Sequence, residues 1–229
     1  MEEIKVIPLP LPFRMGIVNC YLVETGTGFV LIDTGASNRR EQLERELAST
    51  GCMPDNLNLI VLTHGDFDHT GNAAHLRDKF GAKIAMHQAD SGMAEHADMF
   101  WNRSSGNAII RFLAPTLFRF RKANRFAPDL HVDEGFDLSE YGFDARVLSI
   151  PGHSRGSIGI LTAGGDLFCG DLLENTNKPA TNSIMDDPVV CDASIEKLAG
   201  LEINMVHPGH GKPFPMQQFT SSRQESNQR

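Results

Sequence analysis

Apolar positions along the chain follow two rhythms. The runs IVNCYLVE (17–24), GFVLID (28–33), LNLIVLT (57–63), KIAMH (83–87), ARVLSI (145–150), SIGILTA (157–163) and LFCG (167–170) are short, β-rich and stop at Gly, Pro or a polar cluster. Runs of that kind predict strands bounded by turns. Between them, NRREQLERELAST (38–50) sets Leu43 and Leu47 four apart among charges, and GNAAHLRDKFG (71–81) does the same with Leu76 and Phe80. That spacing puts both apolar side chains on one face and predicts helices. Strands interleaved with helices predict one layered αβ domain over residues 1–215, with the polar stretch 216–229 as a mobile tail.

Residues 92–128 fit neither rhythm. Met93, Phe100, Trp101, Ile109, Phe112 and Leu117 come without strand-like alternation, so a helical insertion is expected. From Met99 to Pro128 no acidic residue occurs, while Arg103, Arg111, Arg119, Arg121, Lys122 and Arg125 bring six positive charges. Three readings stay open. The segment is a helical pair packed on the body with arginine stems covering apolar surface, a lid that turns Trp101 and Arg111 toward an anionic or amphipathic substrate, or a contact for a partner or a membrane surface.

Composition narrows the function classes. A chain of 229 residues, 41% hydrophobic and 22% charged, has the make-up of one large soluble domain. Its 21 Lys and Arg against 29 Asp and Glu give a net charge of −8, which works against binding nucleic acid or anionic membranes. MEEIKVIPLPLP carries two acids and several prolines where a signal peptide needs an apolar helix, and no window reaches the roughly 20 apolar residues of a membrane span. A cytoplasmic protein acting on a small-molecule substrate is therefore expected, with no nucleic-acid partner and with a homodimer left open. Cys20, Cys52, Cys169 and Cys191 are scattered singly and read as reduced thiols.

Candidate chemistry is concentrated in LIVLTHGDFDHTGN (59–72), an apolar run that breaks into His64, Asp66, Asp68 and His69. Residues leaving a strand alternate sides, so His64 and Asp66 can share one direction, while the consecutive Asp68 and His69 diverge from them. Two pairs of ligands facing two neighbouring positions suit a binuclear metal site of zinc, iron or manganese. The plainer alternative is a solvated loop whose aspartates cap the helix starting near Gly71. Further along, His153 follows a Pro-Gly turn in SIPGHSRGSIG, Asp171 ends FCGD, and His210 lies between glycines in VHPGHGKP.

With those pieces in order, the chain resembles the metallo-β-lactamase superfamily, whose motifs run H-x-H-x-D-H, P-G-H-[ST], G-D and G-H-G. The resemblance extends from about Val18 to Pro213 and includes LIDTG (31–35), a match to the family's early aspartate turn. It implies a four-layer αββα sandwich with two divalent metal ions at one edge. His64, Asp66 and His153 would hold the first ion, Asp68, His69 and His210 the second, and Asp171 both, with Asp33 supporting them from behind. His207 competes with His210, but only His210 has flanking glycines. His87 and His131 read as ordinary surface histidines, and His75 and His96 as helix residues.

Asp66 departs from the family pattern, which has histidine there. The four positive charges of two divalent ions would be cancelled by Asp66, Asp68, Asp171 and a bridging hydroxide, making the ions weaker Lewis acids and favouring iron or manganese relative to zinc. The resemblance implies a binuclear hydrolase whose bridging hydroxide attacks an ester, thioester or lactone, with Asp68 also relaying a proton. Two alternatives accompany it: a phosphodiesterase-type hydrolase, and a diiron oxidoreductase working with a separate flavoprotein, since the flavodiiron branch carries a carboxylate at this position.

Overall fold

The computed structural model describes residues 3–101, 103 and 124–227, with side chains to Arg223. Strands β1 (Glu3–Pro10), β2 (Ile17–Thr25), β3 (Gly28–Ile32), β4 (Leu57–Val61), β5 (Lys83–Met86) and β6 (Leu130–His131) form a six-stranded sheet in that order. β1 to β3 pair antiparallel and β3 to β6 parallel. A second, five-stranded sheet has the order β13 (Phe214–Pro215), β12 (Met205–Pro208), β9 (Asp166–Gly170), β8 (Ile158–Thr162) and β7 (Ala145–Ser149), and β10 (Leu173–Glu174) pairs with β11 (Ala180–Thr181) beside it. The helices are α1 (Arg40–Ser49), α2 (Phe67–Thr70), α3 (Ala73–Phe80), α4 (Gln88–His96), α5 (Pro188–Leu198) and α6 (Met216–Asn227).

The period of two in the strands explains the layering, because alternate residues enter different cores. Tyr21, Val23, Val30 and Ile32 of the first sheet meet Val147, Ile158, Ile160 and Phe168 of the second between the sheets. Their neighbours Leu22, Phe29 and Leu31 turn the other way, onto Leu43 and Leu47 of α1 and Leu76 and Phe80 of α3. On the far side, Leu148, Leu161, Leu167 and Cys169 pack on Ile195 and Leu198 of α5 and Phe219 of α6. Three apolar interfaces separate four layers, the αββα sandwich. Cys20, Cys52, Cys169 and Cys191 are all buried and unpaired within it.

The structure departs from the sequence reading in several places. Glu3–Pro10 is a strand despite its prolines, because β1 lies at the sheet edge and pairs only with β2, where a missing N–H is tolerated. The stretch 216–227 is a helix in place of the expected mobile tail: Met216 and Phe219, three apart, bury against α5, and Arg223 Nη2 bonds Asp192 Oδ1 at 2.9 Å. Within 92–128, α4 runs on to His96 and Phe126 is buried in the first core, whereas 104–123, including Arg111, lie outside the described residues. Among the described residues no helix is long and apolar enough to cross a membrane.

Candidate metal centre

All seven residues singled out by the motifs meet at one end of the two sheets. β4 leaves its ladder at Val61 and delivers His64, then turns into the four-residue α2, which carries Asp68 and His69. The Asp66 side chain makes no capping bond to α2, so capping does not explain the carboxylate. His153 follows β7, Asp171 follows β9 and His210 follows β12. His64, Asp66, Asp68, His69, His153 and Asp171 are buried, and His210 is 17% exposed at its side chain.

Each imidazole is fixed from behind through Nδ1. His64 Nδ1 lies 3.0 Å from Thr63 Oγ1, His69 Nδ1 2.8 Å from Asp33 Oδ2, His153 Nδ1 2.6 Å from Ile184 O and His210 Nδ1 2.8 Å from Ile17 O. Each of those oxygens can accept, which assigns the Nδ1 proton and turns the Nε2 lone pair inward. There Nε2 meets carboxylates: His153 lies 3.0 Å from Asp66 Oδ2, His69 3.3 Å from Asp171 Oδ1, and His210 3.3 Å from Asp171 Oδ2 and 3.5 Å from Asp68 Oδ2. At each of these contacts the ring nitrogen and the carboxylate are both acceptors unless a proton or a metal ion lies between them: without a metal the rings hold protons, and a divalent cation would take their place.

The donor atoms fit divalent metals. His64–Asp66–His153, Asp68–His69–His210 and His64–His69–Asp171 each offer ligand atoms within 4.8 Å of one another. Among the described residues, His64 Nε2, His69 Nε2 and Asp171 Oδ1 are buried without a hydrogen-bond partner. A side chain on Gly209 would place its Cβ 2.3 Å from Asp171 Oδ1 and 2.7 Å from His69 Cε1, so only glycine leaves room for these two groups.

The titration behaviour has the same cause. Burial pushes the His69 and His210 rings toward neutrality, but Asp33 and Asp171 hold His69 well above the ordinary histidine range, and Asp171 raises His210 to about 9. Burial would raise the Asp66 and Asp171 carboxyls, yet hydrogen bonds from His153 and His64 keep Asp66, and the charges of His210 and His69 keep Asp171, well below the usual carboxylate range. His64, buried between the His69 and His153 rings, shifts down.

Three supporting residues had no sequence signal tying them to the site. Asp90, at the start of α4, accepts from Gly65 N at 3.0 Å, Ser154 Oγ at 2.6 Å and Gly156 N at 2.8 Å, bolting the His64 loop to the His153 turn. Asn19 Nδ2 donates to Pro208 O at 3.0 Å and Gly211 O at 2.6 Å, fastening the His210 loop to β2. Arg103, read from sequence only as part of a basic stretch, places Nη1 2.7 Å from Asp66 Oδ1.

The other histidines lie elsewhere. His207 bonds Asp166 Oδ1 at 2.7 Å, His75 bonds Glu44 Oε1 at 2.6 Å, His87 caps α4 through Ala89 N, and His131 is exposed on β6. His96 stacks on Trp101 at 3.8 Å between ring centroids.

A four-layer sandwich that gathers four imidazoles and three carboxylates at one end of its strands has the make-up of a metal-dependent hydrolase. The sequence pattern of the metallo-beta-lactamase superfamily matches residues 14–210, and the chain belongs to that superfamily. It is 26% identical to the probable metallo-hydrolase YqjP of Bacillus subtilis (strain 168), over all of this chain and 77% of that protein. It is 30% identical to the hydroxyacylglutathione hydrolase GloC of Haemophilus influenzae, over 75% of this chain and 72% of that one. The crystal structure of TTHA1623 in a di-iron-bound form is similar with a TM-score of 0.71 at 31% identity, covering 94% of this chain and 97% of its own.

Proposed function

We propose that the chain is a binuclear metal-dependent hydrolase that cleaves an ester, thioester or lactone bond in a small molecule. The observation that carries this reading is the inward set of buried, unpartnered atoms, His64 Nε2, His69 Nε2 and Asp171 Oδ1. His64, Asp66 and His153 would hold one ion, Asp68, His69 and His210 the other, and Asp171 both. When bound, the ions supply Lewis-acid polarisation of the scissile carbonyl and water acidic enough to attack near neutral pH. Asp68 is the proton carrier: its carboxylate takes the proton lost by the attacking water and returns it to the departing alcohol or thiol as the acyl bond breaks. Similarity to a hydroxyacylglutathione hydrolase supports a thioester among these substrates.

The Asp66 carboxylate and the di-iron form of a similar protein support iron or manganese beside zinc. They also favour one second reading, a diiron oxidoreductase fed by a separate flavoprotein. Protein grown in zinc-, manganese- and iron-supplemented media is to be analysed for metal and assayed on thioesters, lactones, esters and a phosphodiester. Two ions per chain and acyl hydrolysis lost on chelation are expected, and His153→Ala and Asp171→Ala should each fall more than about tenfold, or ~1.4 kcal/mol of barrier. Turnover of the phosphodiester alone would reassign the bond. Bound iron with no hydrolysis, and oxygen uptake with an external reductant, would establish the redox reading instead.

A further inference from the structure

Asp66 and Arg103 form a two-residue unit beside the ligand set. Arg103 Nη1 donates to Asp66 Oδ1 at 2.7 Å, while the other carboxylate oxygen, Oδ2, faces His153 Nε2 at 3.0 Å and His64 Nε2 at 3.6 Å. The guanidinium is itself held in place, its Nε donating to Asp186 Oδ2 at 2.9 Å and Nη1 also to Met99 O at 3.3 Å, with the side chain only 7% exposed. Asp186 N donates in turn to Gly152 O at 2.9 Å and His153 O at 3.2 Å, and Ile184 O accepts from His153 Nδ1. Arg103 thus touches Asp66 directly and reaches the loop that orients His153.

Two consequences follow for metal binding. A carboxylate can chelate through both oxygens, whereas an imidazole gives one donor atom. With Oδ1 committed to a charge-assisted bond, Asp66 presents Oδ2 alone. A bare aspartate would also remove one positive charge from the centre, whereas the Asp66–Arg103 pair is formally neutral, as an imidazole is. Nε and Nη1 are engaged by Asp66, Asp186 and Met99 O, and Nη2 lies 3.5 Å from His153 O, so most of the guanidinium's donors point at Asp66 and at the loop of His153.

Resting on the metal-centre reading above, we propose that Asp66 and Arg103 act together as one neutral, single-donor metal ligand, in which Arg103 is a positioning residue supplied by the 92–128 segment. The test is competition of the metal-free full chain against a chromophoric chelator for Zn²⁺ and Mn²⁺, in the parent, Arg103→Ala, Asp66→His and the double variant, with thermal melts to confirm folding. Arg103→Ala should weaken the first ion about 10–100-fold in the parent, the usual effect of removing a partner behind a ligand. In the Asp66→His background the same change should leave affinity unchanged or tighten it, because an imidazole needs no guanidinium beside it. Arg103→Lys, which keeps the charge but cannot span Asp66 and Asp186 together, should recover part of the loss and carries the comparison if the alanine variant melts early. The absorption spectrum of the Co²⁺-loaded parent should also change on Arg103→Ala. Equal loss in both backgrounds would make Arg103 a general structural support, and no loss in the parent would show that Asp66 binds without it; either overturns the pairing alone. A parent that binds no ion overturns the metal-centre reading with it.

Discussion

Asp33 Oδ2 accepts the Nδ1 proton of His69 at 2.8 Å from a backbone held at φ 59°. The same carboxylate takes the Thr63 hydroxyl at 2.8 Å and Thr63 N at 2.9 Å, and Thr63 Oγ1 lies 3.0 Å from His64 Nδ1. One buried carboxylate therefore sets the tautomer of two rings that face the metal positions.

Asp33→Asn separates this electrostatic role from the backbone, because asparagine tolerates the left-handed region about as well as aspartate does. Its metal affinity should fall about 10–100-fold while the metal-free melting temperature changes little. Asp33→Ala adds the strain and leaves Thr63 N unpaired, costing about 1–3 kcal/mol in urea denaturation. If the asparagine variant binds metal as tightly as the parent, the charge on Asp33 plays no part in orienting His69.

Asp90 joins two loops that carry ligands on different sheets, and it is 1% exposed. Removing its carboxylate leaves Gly65 N, Gly156 N and Ser154 Oγ to be rearranged. Asp90→Ala should lose about 1–3 kcal/mol of stability and, at temperatures where it stays folded, hydrolytic activity as well. A stable but inactive variant would show that the bolt matters for placing His64 and His153 more than for folding. Full activity would remove it from the support of the site.

Trp101 is the only tryptophan. Its ring stacks on His96 and is 39% exposed, two residues before Arg103 reaches Asp66. A lid over the metal centre should change Trp101 emission when a competitive inhibitor binds, and shortening the 92–128 segment should raise KM. Unchanged emission with unchanged KM would leave the segment as packing.

Glu44 joins α1 to α3, with His75 Nε2 2.6 Å and Lys79 Nζ 2.9 Å from its carboxylate. Partial burial pushes the carboxyl up, but the bonds from Lys79 and His75 outweigh it and hold Glu44 below its ordinary value. A carboxyl depressed in the folded state stabilises above its unfolded pKa of about 4.3 and loses that contribution as pH falls through the folded value. Glu44→Gln should therefore lower the melting temperature at pH 6, and the gap to the parent should close as pH drops below about 4. A gap of constant size at all pH values would assign the effect to packing.

The strands β2, β3, β4, β5, β7, β8 and β9 and the helices α1 and α3 were readable because each is a local run with its own period. α5 carries a helical signal too, Cys191, Ile195 and Leu198 spaced behind Asp187 and Pro188, which the sequence reading above does not use; α6 does not, since Met216 and Phe219 are the only buried apolar residues among its described side chains. β1 was hidden by prolines that only an edge position tolerates.

At the metal centre the division runs the same way. His64, Asp66, Asp68 and His69 lie within one turn of chain, and His153, Asp171 and His210 each follow a strand at a glycine, so their chemistry and spacing could be read directly. Asp33, 36 residues from His69, is marked by the LIDTG turn, but the other partners that orient the site lie 37 residues away for Arg103 and Asp66 and 64 for Asp90 and Ser154, with no motif of their own. A single carboxylate or guanidinium carries no periodicity, and nothing local distinguishes Arg103 from the other arginines of its stretch. The sequence by itself determined which residues carry candidate donor groups and which runs form strands; the tertiary structure alone decided which buried charges meet, because long-range hydrogen bonds form only after the two sheets have stacked and excluded water.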